Sequence, residues 1–255
     1  MARRPGAPTL TRDVAPGVHR LEHAHVNSYL LVDGDGVTIV DTAFPATWRL
    51  LPQALEAIGR SPADVAAVVL THAHFDHLGF ARSIRDEWGV PLWGHAADFF
   101  IARHPYRYAH ESPRLRYPLR YPASLPALGR MVGAGALNVR GVDELIPLEA
   151  GETLDLPGHP RVVFTPGHTF GHCALHLPDA DTVITGDALV TFNPYTGEGG
   201  PQVVSGAATA DFELAFQALD TLDETDARIV LPGHGPRWAD GIRTATAAAR
   251  AVGAS

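Results

Sequence analysis

The run Thr71-His72-Ala73-His74-Phe75-Asp76-His77 places three imidazoles and a carboxylate within seven residues. In an extended chain, side chains two apart point the same way, so His72 and His74 can face one cation while Ala73 turns toward the core. Where the chain bends away, Asp76 and His77 can address a second position. Three further candidates lie far along the chain: His168 in Thr165-Pro-Gly-His, Asp187 in Ile184-Thr-Gly-Asp, and His234 in Leu231-Pro-Gly-His. Each follows a short apolar run and sits beside glycine, where ligands gather at the ends of strands. With the single cysteine Cys173, neither a disulfide framework nor a thiolate-rich metal site can form within the chain. Any metal is therefore held by histidine and carboxylate.

These residues need elements that present them. Val18–Leu21, Ser28–Val32 and Val37–Val40 are short β-rich runs, the last two separated by an Asp33-Gly-Asp-Gly turn, and they predict a hairpin edge. Trp48, Leu51, Leu55 and Ile58 recur at helical spacing between Pro45 and Gly59, and predict an amphipathic helix. Val65–Leu70 is a buried strand running into the histidine cluster; Leu78, Ala81, Ile84 and Trp88 then mark a helix ending at Gly89. The cluster thus falls on a strand-to-helix loop. The second half repeats the grammar, with strands expected near Thr153–Leu156, Arg161–Thr165, His172–Leu177 and Thr182–Thr185. A helix through Phe212, Ala215, Phe216, Leu219 and Leu222 follows, then a strand over Arg228–Leu231 and a C-terminal helix. Strands and helices in both halves point to an α/β fold with two sheets face to face and helices outside.

At 255 residues and 45% hydrophobic content, the chain can bury a sizeable core as one domain over residues 1–255. The opening Met1-Ala-Arg-Arg-Pro leads into no apolar run long enough for a signal peptide or membrane span, so a cytoplasmic chain without membrane contact is expected. A formal charge of −8 argues against nucleic-acid partners, which need a cationic footprint. The distribution is uneven. All 20 basic residues are arginine, and seven lie between Arg103 and Arg140 with Glu111 as the only acid. Five prolines and Tyr106, Tyr108, Tyr117 and Tyr121 interrupt the same stretch, which is read as an inserted lid or a homodimer surface at about 103–140. Arginine forks and tyrosine faces there could grip an anionic or aromatic small-molecule substrate.

Taken together, the H-x-H-x-D-H loop followed by a distant His, a distant Asp and a final His resembles the metallo-β-lactamase superfamily, from about Val18 to the C-terminal helix. The resemblance implies a four-layer αββα sandwich of two related halves, with the site at the sheet edge between them. It implies one ion on His72, His74 and His168, another on Asp76, His77 and His234, and Asp187 bridging. Two dications about 4 Å apart repel strongly, so an anion between them is required. Zinc is the leading metal; iron and manganese accept the same ligands. The implied activity is a binuclear hydrolase that uses a metal-bridging hydroxide to cleave an ester, thioester or lactone, with Asp76 both a ligand and the proton acceptor.

The Gly186-Asp187 bridge resembles the glyoxalase II, lactonase and RNase Z side of the superfamily rather than true β-lactamases. Glyoxalase II carries a helical glutathione-binding domain after this motif set, and with 21 residues following His234 here, glutathione thioester specificity is not expected. A phosphodiesterase or ribonuclease draws support from the arginine stretch but not from the net charge. An iron-dependent oxidoreductase and a non-catalytic metal-binding scaffold complete the alternatives.

Other residues are expected in supporting roles. Asp41, ending Ile39-Val-Asp, is placed to orient a ligand histidine, and His172 and Cys173 to pack behind the site. Tyr195, after Asn193-Pro194, is a candidate for orienting substrate. His23 and His25 share the H-x-H spacing without its context and read as a decoy, while His19, His95, His104, His110, His159 and His176 read as surface or capping residues.

Overall fold

The structure, a computed structural model, describes residues 8–254; the charged opening stretch read above as lacking a leader falls largely outside them. A seven-stranded sheet forms first, in the order β1 (Thr9–Ala15), β2 (Val18–His23), β3 (Val26–Asp33), β4 (Gly36–Val40), β5 (Val65–Val69), β6 (Leu92–Gly94) and β7 (Ile146–Pro147). Strands β1 to β4 are antiparallel, and β5 to β7 add in parallel through helical crossovers. These crossovers carry α1 (Leu51–Ala57) and α2 (Ala81–Trp88) between β4 and β6, and α3 (Phe99–Arg103), α4 (Arg116–Arg120) and α5 (Leu125–Gly133) between β6 and β7. The second half supplies β8 (Arg161–Phe164), β9 (Cys173–Leu177) and β10 (Thr182–Gly186), then the ribbon β11 (Val190–Phe192) and β12 (Gly199–Gln202). Helix α6 (Phe212–Asp223), β13 (Ile229–Pro232) and α7 (Ile242–Val252) complete it. Its sheet runs β13-β10-β9-β8.

The period of two along each strand decides which face meets what. Tyr29, Leu31, Val40 and Val69 of the first sheet meet Val162, Leu175, Ile184 and Leu231 of the second, forming the seam between sheets. The alternate residues Leu30, Ile39 and Val68 pack on Leu51, Leu55 and Ile84 of α1 and α2. On the far side, Val183 and Val230 pack on Leu219, Leu222, Ile242 and Ala245 of α6 and α7. The result is helix, sheet, sheet, helix, the αββα order. Each of these large side chains contributes about 1.5–3 kcal/mol by leaving water.

Several expected boundaries move for local reasons. The helix expected over Trp48–Ile58 divides into a 3₁₀ turn, Pro45–Leu50, and the short α1, because Pro52 has no N–H for a continuous ladder. Helix α2 starts at Ala81 rather than near Leu78. The N–H groups of Gly79 and Phe80 are bonded to Ala43 and Thr42 carbonyls, and a Cβ on Gly79 would lie 2.1 Å from the Ala43 oxygen. No strand forms over Thr153–Leu156: only Thr153 bridges to Arg161 before the chain reverses through Pro157-Gly158-His159, where Gly158 and His159 both take positive φ. The 103–140 stretch, expected to stand outside the regular pattern, folds into α4 and α5 and presses Tyr108, Tyr117 and Met131 into the interior.

Candidate metal centre

The histidine loop leaves β5 at the edge shared by both sheets, and two buried carboxylates set its shape. Asp41, held at φ 59° just after β4, accepts from Thr71 N–H at 2.8 Å, from Thr71 Oγ1 at 2.8 Å, and from His77 Nδ1 at 2.9 Å. With its Nδ1 proton committed to Asp41, His77 turns Nε2 inward as a lone-pair donor. Asp98, at the start of α3, accepts from Ala73 N–H at 3.0 Å, Thr169 Oγ1 at 2.8 Å and Gly171 N–H at 2.9 Å. One carboxylate therefore ties the loop of His72 and His74 to the loop of His168.

The remaining candidates are aimed the same way. His234 places Nδ1 2.9 Å from the His25 carbonyl, which orients its Nε2 toward the cluster. His172 accepts the Asp187 N–H on Nε2 at 3.0 Å, so its proton is on Nδ1, facing Thr165 Oγ1 at 2.8 Å. His172 thereby fixes the backbone of Asp187 from behind. Space matters too: a Cβ on Gly233 would lie 2.1 Å from Asp187 Oδ1, so glycine before His234 is what admits the carboxylate.

Ligand atoms of His72, His74 and His168 lie within 4.8 Å of one another, as do those of Asp76, His77 and His234. Asp187 reaches both groups: its Oδ1 is 3.4 Å from His77 Nε2, and its Oδ2 is 3.5 Å from His168 Nε2 and 3.2 Å from His234 Nε2. All seven residues are buried. Yet, among the described residues, Nε2 of His72, His74, His77 and His168 and Oδ1 of Asp187 have no hydrogen-bond partner. Buried polar atoms are ordinarily satisfied, and five orphans converging from three loops fit a divalent cation that accepts their lone pairs. The donor set, imidazole nitrogen with carboxylate oxygen, suits zinc, iron or manganese.

The electrostatics have the same direction. Burial holds His72 and His74 well below the ordinary imidazole range and His168 down to about 4, so these three remain neutral donors. At His77, burial is outweighed by Asp187 and Asp41, which raise it well above that range; at His234 burial is likewise outweighed by Asp187 and Asp76, raising it to about 10. Asp187, despite its burial, is held well below the usual carboxylate range by His234 and His77. The carboxylate side of the centre thus draws positive charge, which a dication would supply in place of protons.

The sequence-derived candidates His72, His74, Asp76, His77, His168, Asp187 and His234 come together here, with Asp41 and His172 directly behind them. Tyr195 lies at the wall, its hydroxyl bonded to Tyr108. His23 and His25 stay out of the cluster as ring ligands: His23 meets Thr47, and His25 stacks on Phe192 and takes Arg130. The carbonyl of His25 on His234 is nevertheless a contact that side-chain spacing does not foretell. Asp98 and Tyr108 were also missed. Asp98 follows the brief strand β6 with no ligand-like spacing. Tyr108, whose ring lies 3.8 Å from that of His74 with the Arg114 guanidinium 4.0 Å over it, was one of several tyrosines in an irregular stretch.

Comparison with known proteins agrees with this architecture. The family model of the metallo-beta-lactamase superfamily matches residues 22–234, and the chain belongs to that superfamily. A relative described as a probable metallo-hydrolase, YqgX of Bacillus subtilis, is 30% identical over 210 residues, covering 82% of this chain and 85% of its own. Among solved structures, the metallo-beta-lactamase family protein TTHA1429 of Thermus thermophilus superposes with a TM-score of 0.66 at 27% identity, covering 91% of this chain and 77% of that one. TTHA1623, solved in a di-iron-bound form, gives 0.58 at 26% identity, covering 87% and 93%. No helix among the described residues is long and apolar enough to cross a membrane.

Proposed function

We propose that this chain is a binuclear metal-dependent hydrolase of a small ester, thioester or lactone. The observation that carries this is the convergence of two three-residue groups on Asp187, whose two oxygens reach both, with five buried ligand atoms that have no hydrogen-bond partner among the described residues. His72, His74 and His168 would hold one ion, Asp76, His77 and His234 the other, and Asp187 would lie between them. Bound there, divalent ions supply a nucleophile at neutral pH and polarise a carbonyl oxygen. Zinc is proposed as the metal, with the iron of TTHA1623 marking the alternative that metal analysis decides.

The chain's own residues perform the rest. Asp76 is the most open of the seven, 5% exposed against 2% or less for the others, so its carboxylate is the one that can meet an incoming group and accept its proton. Asp41 and Asp98 hold the histidine loop rigid, which lowers the reorganisation needed at reaction. Tyr108 and Tyr195 close one wall, and burial raises both phenols, Tyr108 to about 12, so they meet a substrate as neutral hydrogen-bonding groups. The inner face of the 103–140 segment supplies the Tyr108 half of this wall, and the turn between β11 and β12 supplies Tyr195.

The test is a panel of ester, thioester, lactone and phosphodiester substrates with protein loaded separately with zinc, iron and manganese. Turnover of an acyl substrate that falls at least about 100-fold in Asp76→Ala with metal retained is the expected result. Cleavage of phosphodiesters alone would replace the proposal with a nuclease.

A further inference from the structure

The two-residue turn between β2 and β3 is occupied by residues that its backbone disfavours. His23 pairs with Val26, and the loop residues between them, Ala24 and His25, both take the left-handed region, at φ 51° and 70°. Positive φ at both loop positions is the pattern of a type I′ hairpin turn, whose usual occupants are asparagine and glycine. An alanine followed by a histidine keeps such a backbone only where surrounding contacts over-determine it, and strain of this kind gathers at functional sites.

Contacts reach this turn from two sides. On the inner side, the His25 carbonyl accepts from His234 Nδ1 at 2.9 Å, Val26 bridges to His234, and Asn27 N–H donates to the Gly233 carbonyl at 2.8 Å. On the outer side, Ala24 is buried in one apolar cluster with Phe44 and with Met131 of α5. Arg130, next to Met131, places Nη1 2.8 Å from His25 Nε2. A guanidinium can only donate, so this imidazole nitrogen is the acceptor. The same ring stacks on Phe192 of β11, with centroids 4.9 Å apart and planes 29° from parallel. One residue therefore has its ring held by α5 and β11 and its carbonyl placed on a candidate metal ligand.

We infer that the Ala24-His25 turn is a positioning device for the second ion: Arg130 and Phe192 clamp the His25 ring, so that its carbonyl holds His234 with Nε2 facing Asp76 and Asp187. That nitrogen lies 3.3 Å from Asp76 Oδ2 and 3.2 Å from Asp187 Oδ2. A ligand histidine that gives its other N–H to a carbonyl has its tautomer and ring orientation fixed. Here the carbonyl belongs to a strained turn, which the clamp keeps from relaxing. Arg130 and Phe192 are thus positioning residues that act through His25, and the 103–140 segment bears on the metal centre through Arg130. The inference rests on the two-ion reading of the site.

Zinc titration of chelator-treated protein, followed by NMR of labelled histidine rings, tests this, because the His168 and His234 rings report the two ions separately. Arg130→Ala removes the clamp at a half-buried helical position that suits alanine. His25→Gly removes the ring and gives the turn a residue its backbone favours. Both should weaken zinc binding at His234 about 10-fold, and at His168 less, with melting temperatures of the chelator-treated protein near wild type. Arg130→Lys keeps a donor and should recover part of the loss. Equal weakening at both rings, no weakening at His234, or a melting temperature that falls in step with affinity in both variants would overturn the inference. A second arm needs no metal: in chelator-treated protein the His234 Nδ1 proton should exchange with solvent faster in both variants, and unchanged exchange in both would also overturn it. Faster exchange in the variants, with no zinc bound at His234 in the wild type, would leave the turn's role standing and defeat the two-ion reading. Zinc at both rings, with His234 indifferent to either variant, would do the reverse.

Discussion

Removing the Asp98 carboxylate should both destabilise the fold and loosen one side of the metal centre. Asp98→Ala strips acceptors from Ala73 N–H, Thr169 Oγ1 and Gly171 N–H, all in buried surroundings. An unsatisfied buried donor costs about 1–3 kcal/mol, so three cost about 3–9 kcal/mol before relaxation. Burial itself pushes the Asp98 carboxyl upward against these donors, and losing that buried charge offsets part of the cost. A net loss of about 3–5 kcal/mol is expected, against a typical total of about 5–15 kcal/mol. For a chain of this size it corresponds to a fall in Tm of about 6–20 °C. Because Ala73 lies between His72 and His74 and Thr169 follows His168, affinity for the first ion should fall about 10- to 100-fold. Urea unfolding in the presence of chelator isolates the first effect, and competitive metal titration measures the second. Asp98→Asn keeps an oxygen for Ala73 and Thr169 but turns an amide toward Gly171 N–H, so it should fall between wild type and alanine. A loss under about 1 kcal/mol with unaltered metal affinity in Asp98→Ala would refute the assigned role.

Three other outcomes follow from particular contacts. Gly233→Ala forces a methyl to within 2.1 Å of Asp187 Oδ1, so metal content should drop while circular dichroism stays near wild type. Burial, aided by Asp98, pushes the Cys173 thiol up to about 12; iodoacetamide at about pH 8 should leave the folded protein unmodified and label it fully in denaturant. Arg114 bonds to the Ala207 and Tyr108 carbonyls and lies over the Tyr108 ring. Arg114→Ala should therefore cost about 1–3 kcal/mol and speed limited proteolysis within residues 106–121.

The metal candidates were legible because their chemistry demands particular residue types at strand ends, and strand ends are marked by apolar runs stopping at glycine. Repeated strand and helix patterns in two halves pointed to two facing sheets with helices outside, and the family resemblance implied the four-layer αββα order. What stayed hidden depends on pairings across long sequence distances. Asp98 acts on Ala73 and Thr169, 25 and 71 residues away, and a carboxylate in a buried bond looks the same in sequence as one in solvent. His25 contributes a carbonyl, which every residue has. The 103–140 stretch was obscured by its prolines, which here begin short helices instead of preventing them: Pro122 opens a 3₁₀ turn and Pro126 stands in the first turn of α5. Its inner tyrosines bury while Leu115 and Leu119 on the outside remain 86% and 87% exposed, a division that irregular spacing does not display.

The central claim is that two loops and two distant strand ends build one shared site around Asp187. The most direct measurement is a competitive zinc titration of chelator-treated protein, wild type beside Asp187→Ala, with bound metal counted by elemental analysis. Two ions per chain in the wild type, and weakened binding of both in Asp187→Ala, are the results predicted. A single ion per chain, or two ions held equally well without the Asp187 carboxylate, would contradict it.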